Sequence, residues 1–391
     1  MRRFFLLLMA FVLCRPALAF IPFFHGARSL ALGYSTRAFN YDLNAAFINP
    51  AMLAALGASL GGYQYQQSVF DFRDSCGRLA GIDVHELEDF QALAEGRKSE
   101  VLGVLKEVFA STTALSGFQV RHPGYAGRGY AVAVAFVDAA VVHPLSNPVL
   151  DKPASEISNA DIASLEMRFI GFHYSDYSLS LAFPVSRALS MGATAHYLKG
   201  RNVEFKAPLA SEPLRGGVDA HECLQSAWTA ADNDFSKFSL DLGFSAEFNP
   251  YFRAALTVKN ATEPAIATGA GELRLARRVV AGLAFRPDRQ LGLYMDVDLS
   301  AGDLYHNGHD VQPLSIGVEK GLFENRLFLR VGLLGDLAAK YFLGSRANVL
   351  YGLGLGFNLG NFLVDLAMGL DPLGRIKSLG VSGFYLLGGK N

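Results

Sequence analysis

From about Ala58 onward, hydrophobic and polar residues alternate with a period of two, the spacing of a β-strand with one apolar face, not the 3.6 of a helix. In Ser239–Phe248, Leu240, Leu242, Phe244, Ala246 and Phe248 share one face, while Ser239, Asp241, Gly243, Ser245 and Glu247 share the other. In Leu293–Ser300 the apolar set is Leu293, Met295, Val297 and Leu299, against Tyr294, Asp296, Asp298 and Ser300. Val349, Tyr351, Leu353, Leu355 and Phe357 alternate with Leu350 and the glycines 352, 354 and 356. The pattern predicts strands near 57–70, 115–122, 129–142, 166–184, 188–199, 236–248, 251–260, 276–286, 290–300, 312–320, 326–335, 347–358, 361–370 and 376–387. The second is short, and the fourth is long enough to hide a turn or a kink at Ser175-Asp176.

A soluble β-sandwich alternates in the same way, so the connections decide. Short ones fall at Pro184–Arg187, Asn249-Pro250, Pro287–Arg289, Phe323–Asn325 and Gly360-Asn361; long or polar ones fall near 71–115, 143–165, 200–235, 261–275 and 302–311. Tight turns alternating with long loops are the mark of an outer-membrane barrel, short on the periplasmic side and long outside. The expected fold is therefore all-β: a transmembrane antiparallel barrel over 57–391, with an even strand count near fourteen. Such a barrel has a backbone diameter of roughly 28 Å, so its lumen needs filling. Residues 20–56, too irregular for a strand and too apolar for a free tail, are available as an N-terminal hatch.

Composition sharpens the picture. The chain of 391 residues is 51% hydrophobic and 18% charged, and carries 40 glycines, which excludes a disordered chain. With 35 basic and 36 acidic residues it has no excess with which to neutralise phosphates, so no nucleic-acid partner is expected. After residue 20 no apolar run approaches the roughly 20 residues of a membrane-crossing helix. Residues 1–19 read as a secretory signal peptide: Met1-Arg2-Arg3, the apolar Phe4–Leu13, then Ala17-Leu18-Ala19. A membrane anchor would need a longer apolar core than this one, which Arg15-Pro16 interrupts; a lipoprotein at Cys14 would need a smaller residue than Leu13 before it. Cys76 and Cys223 then remain, as one disulfide of an exported protein or as two free thiols.

Within the N-terminal segment, Asn49 is a good helix cap and Pro50 a good first helical residue, ahead of the helix-prone Ala51–Leu56. Ala38, Asp42, the small pair Ala45-Ala46, then Asn49-Pro50-Ala51 and Leu53 form a longer pattern. That pattern resembles the hatch of the FadL family of outer-membrane transporters for long-chain fatty acids and other hydrophobic molecules, and its treponemal FadL-like members most of all. The specific motif covers about 20 residues; the signal peptide and strand count extend the likeness in outline. The resemblance implies that the hatch plugs the barrel and that movement at Asn49, Pro50 and Ala51 opens a route for substrate. It also leaves Asp42 to anchor the hatch through an inward cation such as Arg330, because a buried carboxylate is normally paired. Partners implied are hydrophobic small molecules such as long-chain fatty acids, outer-membrane lipid and the barrel-assembly machinery. For that machinery Phe384 and Tyr385 stand in for the terminal aromatic that this chain, ending Gly388-Gly389-Lys390-Asn391, lacks.

No catalytic constellation and no cofactor pattern stands out, so an enzyme is not expected. His306-Asn307-Gly308-His309-Asp310 and His221-Glu222-Cys223 lack a complete ligand set at zinc spacing and read as solvated loop residues. Gly352, Gly354 and Gly356 thin the inner wall or permit curvature rather than cradle phosphate. Val101, Val104, Leu105, Val108 and Phe109 fall at helical spacing in the first long loop, either to pack on other loops or to line a landing site for substrate, and Trp228 in a later loop has the same two readings. The expected function is passive passage of hydrophobic small molecules, with a lateral exit at an irregular strand near Gly127, Gly129 or Ser175-Asp176. The alternative is a non-transporting scaffold or secretion accessory built on the same barrel.

Overall fold

A computed structural model describes residues 26–40, 42–56, 59–70, 82–111, 114–144, 147–208, 234–268, 271–300, 312–337 and 349–387. Residues 1–19, Cys76, Trp228, His221-Glu222-Cys223, residues 306–310 and the last four residues lie outside them.

Fourteen antiparallel strands close into one barrel. In chain order they are β1 (Ser59–Phe70), β2 (Ala114–Gly127), β3 (Tyr130–Pro144), β4 (Glu166–Pro184), β5 (Leu189–Pro208), β6 (Asp234–Asn249) and β7 (Phe252–Lys259), followed, after a small hairpin, by β10 (Arg278–Phe285), β11 (Leu291–Asp298), β12 (Pro313–Leu322), β13 (Leu327–Asp336), β14 (Val349–Asn358), β15 (Phe362–Leu370) and β16 (Ile376–Leu387). Each pairs with its neighbour in sequence, and β1 closes on β16 from Ser59 opposite Leu387 to Ser68 opposite Ser378. The hairpin, β8 (Ala265–Thr268) with β9 (Gly271–Arg274), is a separate two-stranded sheet. It falls where the sequence predicts a plain external loop.

The period of two explains why the wall is inside out relative to a soluble core. Ser239, Asp241 and Ser245 of β6 are buried, whereas Phe238 and Phe248 on the same strand are exposed. Leu179, Leu181, Phe183, Leu293, Met295, Val331, Leu353 and Leu366 also face outward. An apolar outer face on nearly every strand far exceeds the patch a water-facing surface carries, and suits lipid. No described helix is long and apolar enough to cross a membrane.

Two expectations about irregularity need correcting. β4 pairs with β5 without a register shift from Glu166 to Pro184, so Ser175-Asp176 holds no turn. The shifts on that side of the barrel fall between His122 and Tyr125 of β2 and between Gly62 and Gln64 of β1, not at Gly127 or Gly129. Pro123 cannot donate to a ladder, so a bulge is where it is tolerated. The bulge also lets β2 continue to Gly127, where the sequence pattern stops at 122.

Two of the long loops fold together. Helices α3 (Val84–Glu88) and α4 (Glu95–Ser111) bury Leu87, Val101, Leu102 and Leu105 against Val149, Leu150 and, from α5 (Asn159–Ala163), Ile162. Val101, Val104 and Leu105 of the α4 stripe thus pack loop on loop. Ser158 caps α5: its hydroxyl accepts from the Asp161 amide at 3.1 Å, and the Asp161 carboxylate accepts from the Ser158 amide at 2.8 Å. That amide, and then the Lys152 ammonium, hold the Asp161 carboxyl at about 2. The folded value lies below the unfolded one, so this contribution is present above the ordinary carboxylate range and is lost as pH falls through about 2. Ser158→Ala is expected to weaken the helix start by about 1 kcal/mol, read as faster proteolysis within 147–165 at neutral pH with the barrel intact.

Candidate functional site in the barrel lumen

The inward-facing polar positions are buried because residues 26–56 lie against them. Helix α1 (Ala27–Ala31) packs on β13, β14, β15 and β16, and the 3₁₀ turn Pro50–Ala55 packs on β4, β5 and β6. The segment therefore touches opposite sides of the wall. Wall glycines permit this approach. A Cβ on Gly332 would lie 2.0 Å from the Gly33 amide nitrogen, and one on Gly352 would lie 2.2 Å from the Leu30 carbonyl oxygen. Gly33 returns the fit: at φ +61° it adopts a backbone that favours glycine, and its own Cβ would meet the Leu333 main chain at 2.5 Å. Gly352 thus thins the inner wall beneath the Leu30–Ala31 backbone, and Gly354 beneath the Ala31 methyl group.

Ionic contacts fix the first half of the segment. Arg28, 1% exposed, donates to Glu319 from Nε at 3.1 Å and Nη2 at 3.3 Å, and to the Phe39 carbonyl at 3.2 Å. Glu319 also accepts from Arg330 Nε at 2.6 Å and the Tyr294 hydroxyl at 3.1 Å, and Arg330 reaches Asp365 at 2.5 Å. Further along, the Arg37 amide and Nη1 both donate to Asp296, at 3.0 and 3.2 Å. Phe39 stacks on Tyr294, and the Arg286 guanidinium carbon lies over the Phe39 ring at 4.2 Å from its centroid. Buried charges on this scale are tolerated only when each is paired and hydrogen-bonded.

The four residues singled out from the sequence sit in the second half. Asp42 is buried, but Arg330 is committed to Glu319 and Asp365; the Asp42 carboxylate instead accepts from the Asn44 amide at 2.7 Å, within the electrostatic reach of Arg28. The expected Asp42–Arg330 anchor is thus replaced by Arg28–Glu319–Arg330. Asn49 caps the 3₁₀ turn by accepting from the Ala51 amide at 3.1 Å, and its Nδ2 donates to the carbonyls of Arg37 at 3.0 Å and Phe244 at 3.2 Å. One side chain thereby ties the turn, the preceding loop and the wall. Pro50 and Ala51 press on two more bare backbones: a Cβ on Gly192 would lie 2.6 Å from the Pro50 carbonyl carbon, and one on Gly243 would lie 2.9 Å from the Ala51 nitrogen. The turn leads into β1 at the tight-turn end of the barrel, where Met52, Leu53 and Leu56 pack with Ala126, Ala131 and Phe384. Phe384 therefore faces inward, and Tyr385 is the exposed member of that pair.

Towards the loop end the lining changes. Val137 of β3, Ile170 and Phe172 of β4, Leu198 of β5 and Phe235 of β6 are buried in one cluster with Leu30 and Ala31 of the segment and Ile266 and Leu273 of the hairpin. Beside it, a small cavity of about 20 Å³ lies between Tyr34 and Arg37 of the segment and Arg278, Asp296, Asp298 and Ser315 of the wall. The sequence reading placed Asp296 and Asp298 on the inner face, but not the apolar layer, whose residues continue the same inward parity as the polar ones below.

The described residues thus form a closed fourteen-strand antiparallel barrel with an N-terminal segment packed against its inner wall. Residues 79–298, more than half of the chain, match the model described as "F plasmid transfer operon, TraF, protein", and the chain belongs to that family. Among solved structures it is similar to the CymD monoaromatic hydrocarbon channel, at 12% identity over 94% of this chain and 99% of that one, with a TM-score of 0.54. Others are the Ralstonia pickettii toluene transporter TbuX, at 13% identity, 92% and 96% coverage and a TM-score of 0.47, and a Pseudomonas aeruginosa FadL homologue, at 11%, 94% and 99%, with 0.48. No curated protein matches the sequence. At such identities the CymD likeness is one of fold.

Proposed function

We propose that the protein is an outer-membrane channel for passive entry of hydrophobic small molecules, with residues 20–56 as a hatch whose movement at Asn49-Pro50-Ala51 opens the route. The observation that carries this reading is the apolar layer at the loop end of the lumen. A water-filled porin has a polar interior; here Ile170, Phe172, Leu198 and Phe235 turn inward and are buried in one apolar cluster that also includes Leu30 and Ala31 of the segment. An alkyl chain moving from water into such surroundings gains about 0.8 kcal/mol per methylene, with no covalent chemistry needed. Asn49 suits a gate because its three hydrogen bonds join the turn, loop and wall at one point. Long-chain fatty acids as cargo, and the treponemal branch, rest on the resemblance of residues 38–53; the CymD and TbuX descriptions add aromatic hydrocarbons as a second cargo class.

Proteoliposomes holding the purified chain are expected to take up a labelled long-chain fatty acid or toluene several-fold faster than protein-free vesicles, with Asn49→Ala faster still. Equal rates with and without protein would sink the proposal. A second reading, a non-transporting scaffold or secretion accessory, is favoured by one observation: the family description names a plasmid transfer operon. It predicts a stable protein partner and no co-purifying lipid, which mass spectrometry of the gently solubilised protein distinguishes.

A further inference from the structure

Four charged side chains from four neighbouring strands form an unbroken chain on the inner wall, apart from the ionic group around Glu319. Asp176 of β4 meets His196 of β5, with Nδ1 3.0 Å from both carboxylate oxygens. His196 Nε2 lies 2.9 Å from Asp241 of β6, and Asp241 accepts from the Lys259 ammonium of β7. Lys259 also donates to the Phe47 carbonyl of the inner segment at 2.6 Å. Thr194, on the same face of β5 as His196, donates to the adjacent Ala46 carbonyl at 2.6 Å. Ala46 and Phe47 belong to the short helix α2 (Ala45–Ile48), whose final carbonyls have no partner within the helix. The wall thus supplies donors to two consecutive carbonyls, one residue short of Asn49-Pro50-Ala51.

We propose that Asp176, His196, Asp241 and Lys259 form a catch that holds this elbow of the segment in its seat, and that the catch is set by a proton on His196. Both ring nitrogens face carboxylate groups, which when ionised only accept; a neutral imidazole has one N–H, so both contacts are satisfied only by the imidazolium. The groups facing the ring are Asp176 from β4, Asp241 from β6 with Lys259 of β7 behind it, and the uncharged Phe47 ring of the segment at 6.1 Å. Two carboxylates and two cations then balance. Removal of the proton leaves a lone pair against a carboxylate and one surplus negative charge, which draws the Lys259 ammonium away from the Phe47 carbonyl. The seated state holds a proton that the released state does not need, so raising the pH favours release, by up to about tenfold per pH unit once the ring titrates. Lys259 and His196 are positioning residues in this scheme; they act through the elbow.

The catch rests on the reading of the segment as a hatch, and ion current through the full chain in planar bilayers, stepped from pH 5 to 10, tests it without any cargo. Wild-type current is expected to be low at acid pH and to rise with pH. His196→Gln, with one donor group and no charge, is expected to conduct at every pH without the step. Thr194→Val, which removes the independent donor to Ala46, is expected to raise the current while keeping the step. A flat wild-type profile overturns the catch without requiring any substitution to fold, and so does a step that survives in His196→Gln. Uptake measured on the same preparations separates the two ideas: uptake without a pH step refutes the catch alone, and a step without uptake refutes hydrophobic transport alone.

Discussion

Replacing Arg330 with leucine is expected to lower the stability of the seated segment by about 3–5 kcal/mol, the range for removing one member of a buried ion pair. Arg330 is 3% exposed, and its guanidinium joins Glu319 to Asp365. Without it Glu319 keeps Arg28, but Asp365 faces the nearby Asp42 with its guanidinium partner gone. The loss should appear as a lower denaturation midpoint of the purified barrel. Arg330→Lys is expected to recover only part of it, because an ammonium cannot offer two parallel donors to separate carboxylates. Arg330→Leu combined with Asp365→Leu should recover more than Arg330→Lys, since it removes the orphaned carboxylate together with its partner. Additive losses in the double variant would show that Arg330 and Asp365 are not coupled.

Gly332→Val is expected to unseat residues 26–56 outright. The added Cβ would lie 2.0 Å from the Gly33 nitrogen and 2.1 Å from the Leu32 carbonyl carbon, and main chain on both sides cannot swing away as a side-chain tip can. Overpacking usually costs about 1–3 kcal/mol and sometimes more; two main-chain clashes place this case at the upper end. Gly332 pairs with Gly317 and Gly352 in the wall, and those ladders do not involve the inner segment. The barrel should therefore keep its β-sheet circular dichroism while residues 26–56 become accessible to protease. Gly383→Val is the control: its Cβ would have no neighbour within 4 Å. Equal protease resistance of the Gly332 and Gly383 variants would show that close backbone contact does not hold the segment.

The wall was legible because a strand between lipid and a filled lumen reports its two faces residue by residue. Leu240, Leu242 and Phe244 alternating with Asp241 and Gly243 fix both the strand and its orientation. The β8–β9 hairpin escaped because four-residue strands are too short to show a period, and Ile266 and Leu273 make sense only once an apolar lumen layer exists for them to join. The extension of β5 to Pro208 escaped because Lys199 and Arg201 break the lipid-facing alternation where the strand continues toward the loops. Asn49, Pro50 and Ala51 were found by motif, and the structure brings them together with Gly192 and Gly243. That Arg28 on Glu319, and not Asp42 on Arg330, anchors the segment was not recoverable, because partners across a lumen depend on register accumulated over many strands. His196 and Lys259 left a usable signal: carrying the inward parity of Thr194 forward by two reaches His196, as the parity of β6 reaches Asp241.

The seam where the barrel closes bears on the order of assembly. Gly26 donates to Gln66 of β1 at 3.0 Å, and the next amide, Ala27, donates to Ser382 of β16 at 3.1 Å. Two consecutive backbone groups thus staple the first-made and last-made strands of the wall from within. A chain emerging in sequence order has made the inner segment and β1 long before β16 exists, so this end of the segment can be fastened only when the cylinder is finished. Its fastening and the zipping of Ser59–Ser68 onto Ser378–Leu387 are then a single late event, and a barrel that closes empty has lost the template along its own joint.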